Sequence, residues 1–262
     1  MIGVFDSGIG GLTVVKEIEN KMPEAGIIYF GDTARYPYGN KSKETIESYA
    51  LENARFLIEH GAKIIVVACN TASALAIEKL REDISIPIFE VVTPAVERAV
   101  SVTKNKRIGL IGTRGTVKSN IYKDKIQRLS PEAEVFSRAC PLFVPLVEEG
   151  WLDRPETKKI IKSYFAALKN KNIDTLILGC THYPILKKEI QAKIGRQVVL
   201  VDSAEEVVRN IEHFLSNNPE LTRRLIGPSH YYLSDVSDHS KSIAEKWLGH
   251  NISFEKLSAF SA

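Results

Sequence analysis

The run Ile64-Ile65-Val66-Val67-Ala68-Cys69-Asn70-Thr71 decides the fold. Its apolar residues follow one another with no polar residue between them. It therefore lacks the period-two alternation of a half-exposed strand and reads as a strand covered on both faces. A cysteine and two small polar residues then lead into a helix beginning near Asn70 or Thr71. Residues 2–5, 27–30, 86–92, 108–111, 175–178 and 198–201 read as strands of the same kind. Amphipathic stretches lie between them. Residues 42–60 carry Ile46, Tyr49, Ala50, Asn53, Phe56 and Leu57 at helical spacing, with Ser42 as N-cap and Gly61 as the stop, and residues 156–169 repeat the pattern with Ile160, Ile161, Tyr164 and Leu168. Such alternation predicts an α/β fold with mainly parallel sheets.

The pattern also echoes itself. Ile2-Gly3-Val4-Phe5-Asp6-Ser7-Gly8 resembles Ile108-Gly109-Leu110-Ile111-Gly112-Thr113-Arg114, and Ala68-Cys69-Asn70-Thr71 resembles Gly179-Cys180-Thr181-His182. Val91-Val92-Thr93-Pro94-Ala95 matches Leu200-Val201-Asp202-Ser203-Ala204 more weakly. All three echoes are spaced by roughly 110 residues, as two similar α/β halves would be. Apolar strands followed by Gly, Ser or Thr are common, so chance recurrence stands beside duplication.

Length and composition bound the function. A chain of 262 residues accommodates one large domain or two small ones. Hydrophobic residues at 44% and charged residues at 26% exclude general disorder. Lys plus Arg is 35 against 32 for Asp plus Glu, a net charge of +3 with no basic tail, which argues against a nucleic-acid partner but allows local binding of a small anion. No apolar run approaches the ~20 residues of a membrane span, and the N-terminus reads as a strand rather than an export signal. Three cysteines without an export signal do not make a disulfide framework, so the expected compartment is the cytoplasm.

Cys69 and Cys180 each follow a buried strand directly or after one glycine. They are therefore expected at the carboxyl ends of parallel strands, where open α/β sheets place ligands. Both lie near a predicted helix N-terminus, whose N–H groups and dipole favour thiolate and would lower the thiol pKa. A single such cysteine is more often a small core residue, and Cys140 in Arg138-Ala139-Cys140-Pro141 is read that way. No Cys-x-x-Cys or His-x-x-x-His spacing occurs, so no metal site is expected. A facing pair of thiols can do what one cannot. One takes a proton from a tetrahedral carbon while the other supplies one from the opposite side, which inverts the centre. An amino-acid Cα–H is a very weak acid, so this chemistry needs a dry, preorganised site.

The loop Asp6-Ser7-Gly8-Ile9-Gly10-Gly11 is not a dinucleotide fingerprint, because Thr13 stands where the third glycine belongs. Gly112-Thr113-Arg114-Gly115-Thr116-Val117-Lys118-Ser119 has the wrong glycine spacing for a P-loop. Either loop could cradle an anion or simply make a tight turn. The loop Asp32-Thr33-Ala34-Arg35-Tyr36-Pro37-Tyr38-Gly39-Asn40 is also expected on the ligand side, though loop packing explains its tyrosines equally well. His182 could be a proton partner for Cys180 or a structural histidine, and Glu148 and Glu149 a solvated helix end.

At these residues the chain resembles the glutamate racemases. The segments that carry the resemblance are Gly3-Val4-Phe5-Asp6-Ser7-Gly8-Ile9-Gly10-Gly11-Leu12, Gly31-Asp32-Thr33-Ala34-Arg35-Tyr36-Pro37-Tyr38-Gly39, Ala68-Cys69-Asn70-Thr71-Ala72-Ser73, Pro141-Leu142-Phe143-Val144-Pro145-Leu146-Val147-Glu148 and Gly179-Cys180-Thr181-His182-Tyr183-Pro184. The resemblance implies two similar α/β domains, residues 1–92 plus 206–262 and an inserted 93–205, with the active site in the cleft between them. It implies Cys69 and Cys180 as the two proton-transfer groups, Asp6 assisting Cys69, His182 assisting Cys180, and Glu148 as a further acidic group. Asp6, Ser7, Tyr38, Gly39, Asn70, Thr71, Thr116, Thr181 and His182 would hold the substrate. Gly115 replaces the alanine usual in that loop, which weakens the case for Thr116. The implied activity is cofactor-independent interconversion of L- and D-glutamate for peptidoglycan synthesis by a cytoplasmic homodimer. The extension found in relatives activated by a muramyl-peptide precursor is missing, so that regulation is not expected. Aspartate racemase, a cysteine-nucleophile hydrolase and a non-catalytic amino-acid-binding module are the competing readings.

Overall fold

Parallel strands fall into two sheets in the computed structural model, which describes residues 1–256. The strands are β1 (Ile2–Asp6), β2 (Ile27–Gly31), β3 (Ile64–Val67), β4 (Ile88–Glu90), β5 (Arg107–Gly112), β6 (Glu134–Ala139), β7 (Thr175–Gly179), β8 (Val199–Asp202), β9 (His230–Leu233) and β10 (Phe254–Lys256). The first sheet has the order β10-β9-β2-β1-β3-β4 and the second β6-β5-β7-β8, with every pairing parallel. The central strands are buried along their whole length, as their unbroken apolar runs require.

The strand order places the crevices. In the first sheet the chain goes from β1 to β2 on one side and then to β3 on the other, so the order reverses between β1 and β3. In the second it reverses between β5 and β7. At such a switch point the loops leave in opposite directions and open a crevice beyond the carboxyl ends of the strands. Asp6 ends β1 beside β3, which Ala68 and Cys69 follow, and Gly112 pairs with the Gly179 that precedes Cys180.

The helices behave as read, with two exceptions. Helix Lys43–Glu59 starts at Ser42, whose hydroxyl accepts the Thr45 N–H at 3.3 Å, and is followed by Gly61 at φ +98°. Helix Pro155–Lys169 takes its proline in the first turn. The strand expected over residues 86–92 is only Ile88–Glu90. The buried Glu90 carboxylate accepts the N–H groups of Val92 and Thr93, at 2.5 and 3.0 Å, and starts helix Val92–Val102 there. After Cys180 the chain makes a 3₁₀ turn, Tyr183–Leu186, before helix Lys187–Ile194. The α-helix whose dipole is expected at Cys180 thus begins only at Lys187, beyond that turn.

The two sheets meet through their loops and through helix Ser203–Ser216, which packs on both Leu12–Lys21 and Val92–Val102. The Thr13 hydroxyl donates to the Thr181 carbonyl at 3.0 Å, and the Tyr122 hydroxyl donates to Asn70 Oδ1 at 2.5 Å. Among the described residues no helix is long and apolar enough to cross a membrane.

Candidate active site

Both switch points open into one cavity of about 260 Å³, and Cys69 and Cys180 both line it. Each thiol is almost fully buried. Cys69 is the N-cap of helix Asn70–Asp83. Its sulfur accepts the Ala72 N–H at 3.5 Å, and its thiol donates to Ser7 Oγ at 3.4 Å. The expected lowering of its pKa is not found. Burial pushes the Cys69 thiol up to about 12, the nearby Asp6 carboxylate pushes in the same direction, and the Ser7 and Ala72 contacts offset only part of this.

Asp6 sits behind Ser7 and does not line the cavity. It is 1% exposed and accepts the Gly8 N–H at 3.1 Å. Burial raises its pKa, against the pull of His182 and the Gly8 N–H. The Cys180 side differs. Its sulfur lies 4.0 Å from His182 Nδ1, and His182 Nε2 lies 2.9 Å from Glu148 Oε1. Burial lowers the His182 pKa, but the contacts to Cys180 and Glu148 outweigh it and raise the group to about 10. Glu148 is set back from the cavity that the two thiols line. It is 25% exposed and lines two further cavities on its own side.

The remaining sequence-derived candidates divide into two groups. Ser7, Tyr38, Gly39, Asn70, Thr71, Thr181 and His182 line the cavity together with the cysteines. Thr116 does not; it is fully buried, and its hydroxyl meets Thr71 and Thr113 at 3.3 and 3.0 Å. Thr113 and Arg114, singled out in the sequence only as members of a loop able to cradle an anion, line the cavity instead. The Tyr38 hydroxyl faces inward, donating to the buried Asp32 carboxylate and accepting from Asn53 Nδ2 at 3.1 Å. Arg35 completes this network, with Nε 2.7 Å from Asp32 and Nη2 3.0 Å from Asn53 Oδ1, so the Tyr38-Gly39 turn is held from below. Among the described residues, Asn70 Nδ2 and Asp6 Oδ1 are buried polar atoms without a hydrogen-bond partner. A buried unpaired donor at a cavity wall is costly unless a ligand takes it up. Cys140 is buried beyond the cavity in the core, as read from the sequence. Among the described residues no three His, Cys, Asp or Glu side chains gather as metal ligands.

Two thiols thus line one small cavity together with hydroxyl, amide and aromatic side chains. The family model described as Asp/Glu/Hydantoin racemase matches residues 3–211. A glutamate racemase of Geobacter metallireducens is 50% identical over 250 residues, covering 95% of this chain and 92% of that one. The crystal structure of a glutamate racemase isoform from Bacillus anthracis superposes with a TM-score of 0.94 at 39% identity, covering 99% of this chain and 97% of that one. A glutamate racemase from Francisella tularensis, solved in complex with D-glutamate, gives 0.90 at 38%, covering 100% and 98%.

Proposed function

The chain belongs to the Asp/Glu/Hydantoin racemase family and is an amino-acid racemase; we propose that it interconverts L- and D-glutamate by a two-base mechanism in which Cys69 and Cys180 are the bases. The observation that carries this reading is that the two thiols, one from each sheet, line a single cavity of amino-acid size. In one direction the thiolate of one cysteine takes the Cα proton and the thiol of the other delivers its own to the opposite face. The carbanion between the two steps carries negative charge beside the α-carboxylate. The Asn70 amide and the hydroxyls of Ser7, Thr71 and Thr181 are the donors that would hold it.

One turnover leaves the protons exchanged between the sulfurs, so the enzyme must reset. The Cys180–His182–Glu148 line supports a route for that reset, because Glu148 is the member of it that reaches solvent. On the Cys69 side Asp6 is closed in, which suits a group that tunes charge rather than exchanging protons with water. The reading requires no cofactor or metal ion. D-glutamate would serve peptidoglycan synthesis in the cytoplasm, and the working unit would be a homodimer. Each protomer divides into residues 1–92 plus 206–262 and residues 93–205, the second junction falling within helix Ser203–Ser216.

Substitution separates this reading from a cysteine hydrolase, which needs one indispensable thiol. Cys69→Ala and Cys180→Ala should each reduce net racemisation of glutamate, followed by circular dichroism, by at least about a thousandfold, while Cys140→Ala stays near the parent rate. A Cys180→Ala or Cys69→Ala protein that racemises at the parent rate would contradict it.

A further inference from the structure

We propose that Arg114 is the capture residue of this site, pairing with a carboxylate of the incoming substrate at the rim of the cavity and so setting the efficiency with which a dicarboxylate enters. The proposal rests on the glutamate racemase reading and deepens it.

Arg114 opens helix Arg114–Lys118 directly after Thr113, and both residues line the cavity that holds the two thiols. Of the lining residues only Arg114 and His182 can carry positive charge, and His182 is already committed to Cys180 and Glu148. Arg114 is exposed, and among the described residues its side chain makes no ion pair and no hydrogen bond. An arginine normally finds a carboxylate where one is in reach; here the guanidinium keeps its donors, in the planar fork that matches a carboxylate. The cavity supplies no competitor, since its other walls are hydroxyls, amides, aromatic rings, prolines and the thiols.

The fit of the rim explains why the cation stands there. Gly115 lies against Gly39 with no side chain between them; a Cβ at 115 would stand 3.0 Å from the Gly39 carbonyl oxygen. This contact brings the start of the Arg114 helix up to the Tyr38-Gly39 turn. Thr71 and Thr113 join hydroxyls beside it, 3.1 Å apart. Asp6 is buried behind the wall and Glu148 is bonded to His182, so neither carboxylate pairs with Arg114. An unpaired guanidinium at the rim attracts a carboxylate at the stage of encounter and has no part in the proton transfers.

The test compares Arg114→Gln and Arg114→Lys with the parent protein, using L- and D-glutamate at low and raised salt. Arg114→Gln should raise KM about tenfold for both enantiomers, the effect of losing one charge-assisted contact, with kcat within about twofold of the parent. Arg114→Lys should fall between the two. The parent kcat/KM should decline with added salt, and that of Arg114→Gln should respond much less. Parent values of KM with the parent salt response in Arg114→Gln would overturn the proposal, as would a fall in kcat at unchanged KM. Calorimetric titration with glutarate keeps the inference separate from the reaction assignment. If the parent fails to racemise glutamate, the function reading fails, but weaker glutarate binding by Arg114→Gln still supports capture by Arg114, and equal binding refutes it.

Discussion

Cys69 and Cys180 are chemically alike and differently equipped. Cys69 faces a carboxylate that shares its burial, so it keeps its proton at neutral pH, with burial and then Asp6 as the causes. Cys180 faces an imidazole whose other nitrogen is bonded to Glu148, which places positive charge beside the sulfur to which the proposed mechanism gives negative charge. The imidazole has a consequence for stability. Its folded pKa, about 10, lies above the ordinary 6.5, so the folded state binds this proton more tightly than the unfolded chain does. The stabilisation is complete below about pH 6.5 and is lost as pH rises through about 10. Melting temperature should therefore fall between pH 7 and pH 10 in the parent protein. His182→Gln should flatten that part of the profile, and an equally steep decline in the variant would remove His182 as its cause.

Loops at strand ends do the positioning, and one glycine shows how tightly. Gly10 lies in the loop after β1, and a Cβ there would stand 2.2 Å from Thr181 Oγ1 and 2.4 Å from His182 Nδ1. Gly10→Ala must push the Cys180 loop away. It should cost about 1–3 kcal/mol of stability by denaturant unfolding and lower kcat more than KM rises, because His182 is displaced from Cys180. Parent stability and activity in Gly10→Ala would show that the close approach has no role. The elements visible in the sequence were those whose physics is local. β1, β2, β3 and β7 are buried on both faces, so their runs stand out. β6 was missed because it is an edge strand whose Glu134, Ser137 and Arg138 leave no apolar run. β9 was missed because His230-Tyr231-Tyr232-Leu233 is short and half polar; the Tyr231 hydroxyl donates to Glu19 at 2.7 Å. The end of the strand at 86–92 was misplaced because capping by Glu90 is decided in three dimensions.

The site itself belongs to neither sheet. Each contributes one thiol at its own switch point, and facing the two sheets across a cleft brings two strand-end cysteines to one cavity, the pair that the proposed mechanism uses. That Cys69 and Cys180 sit at strand ends was legible, because the strands announce themselves; the places of Thr113 and Arg114 were not, since they depend on how one set of loops meets the other. The raised pKa of Cys69 was equally hidden, because burial comes from the whole assembly and outweighs the local helix end. Two monoprotic bases on one carbon leave a specific isotopic record. In D2O, each enantiomer of glutamate should give a product carrying deuterium at Cα from the first turnovers, while the unreacted substrate stays unlabelled. Product that retains the original Cα hydrogen, or substrate that gains deuterium without inversion, would contradict proton transfer by two opposed thiols.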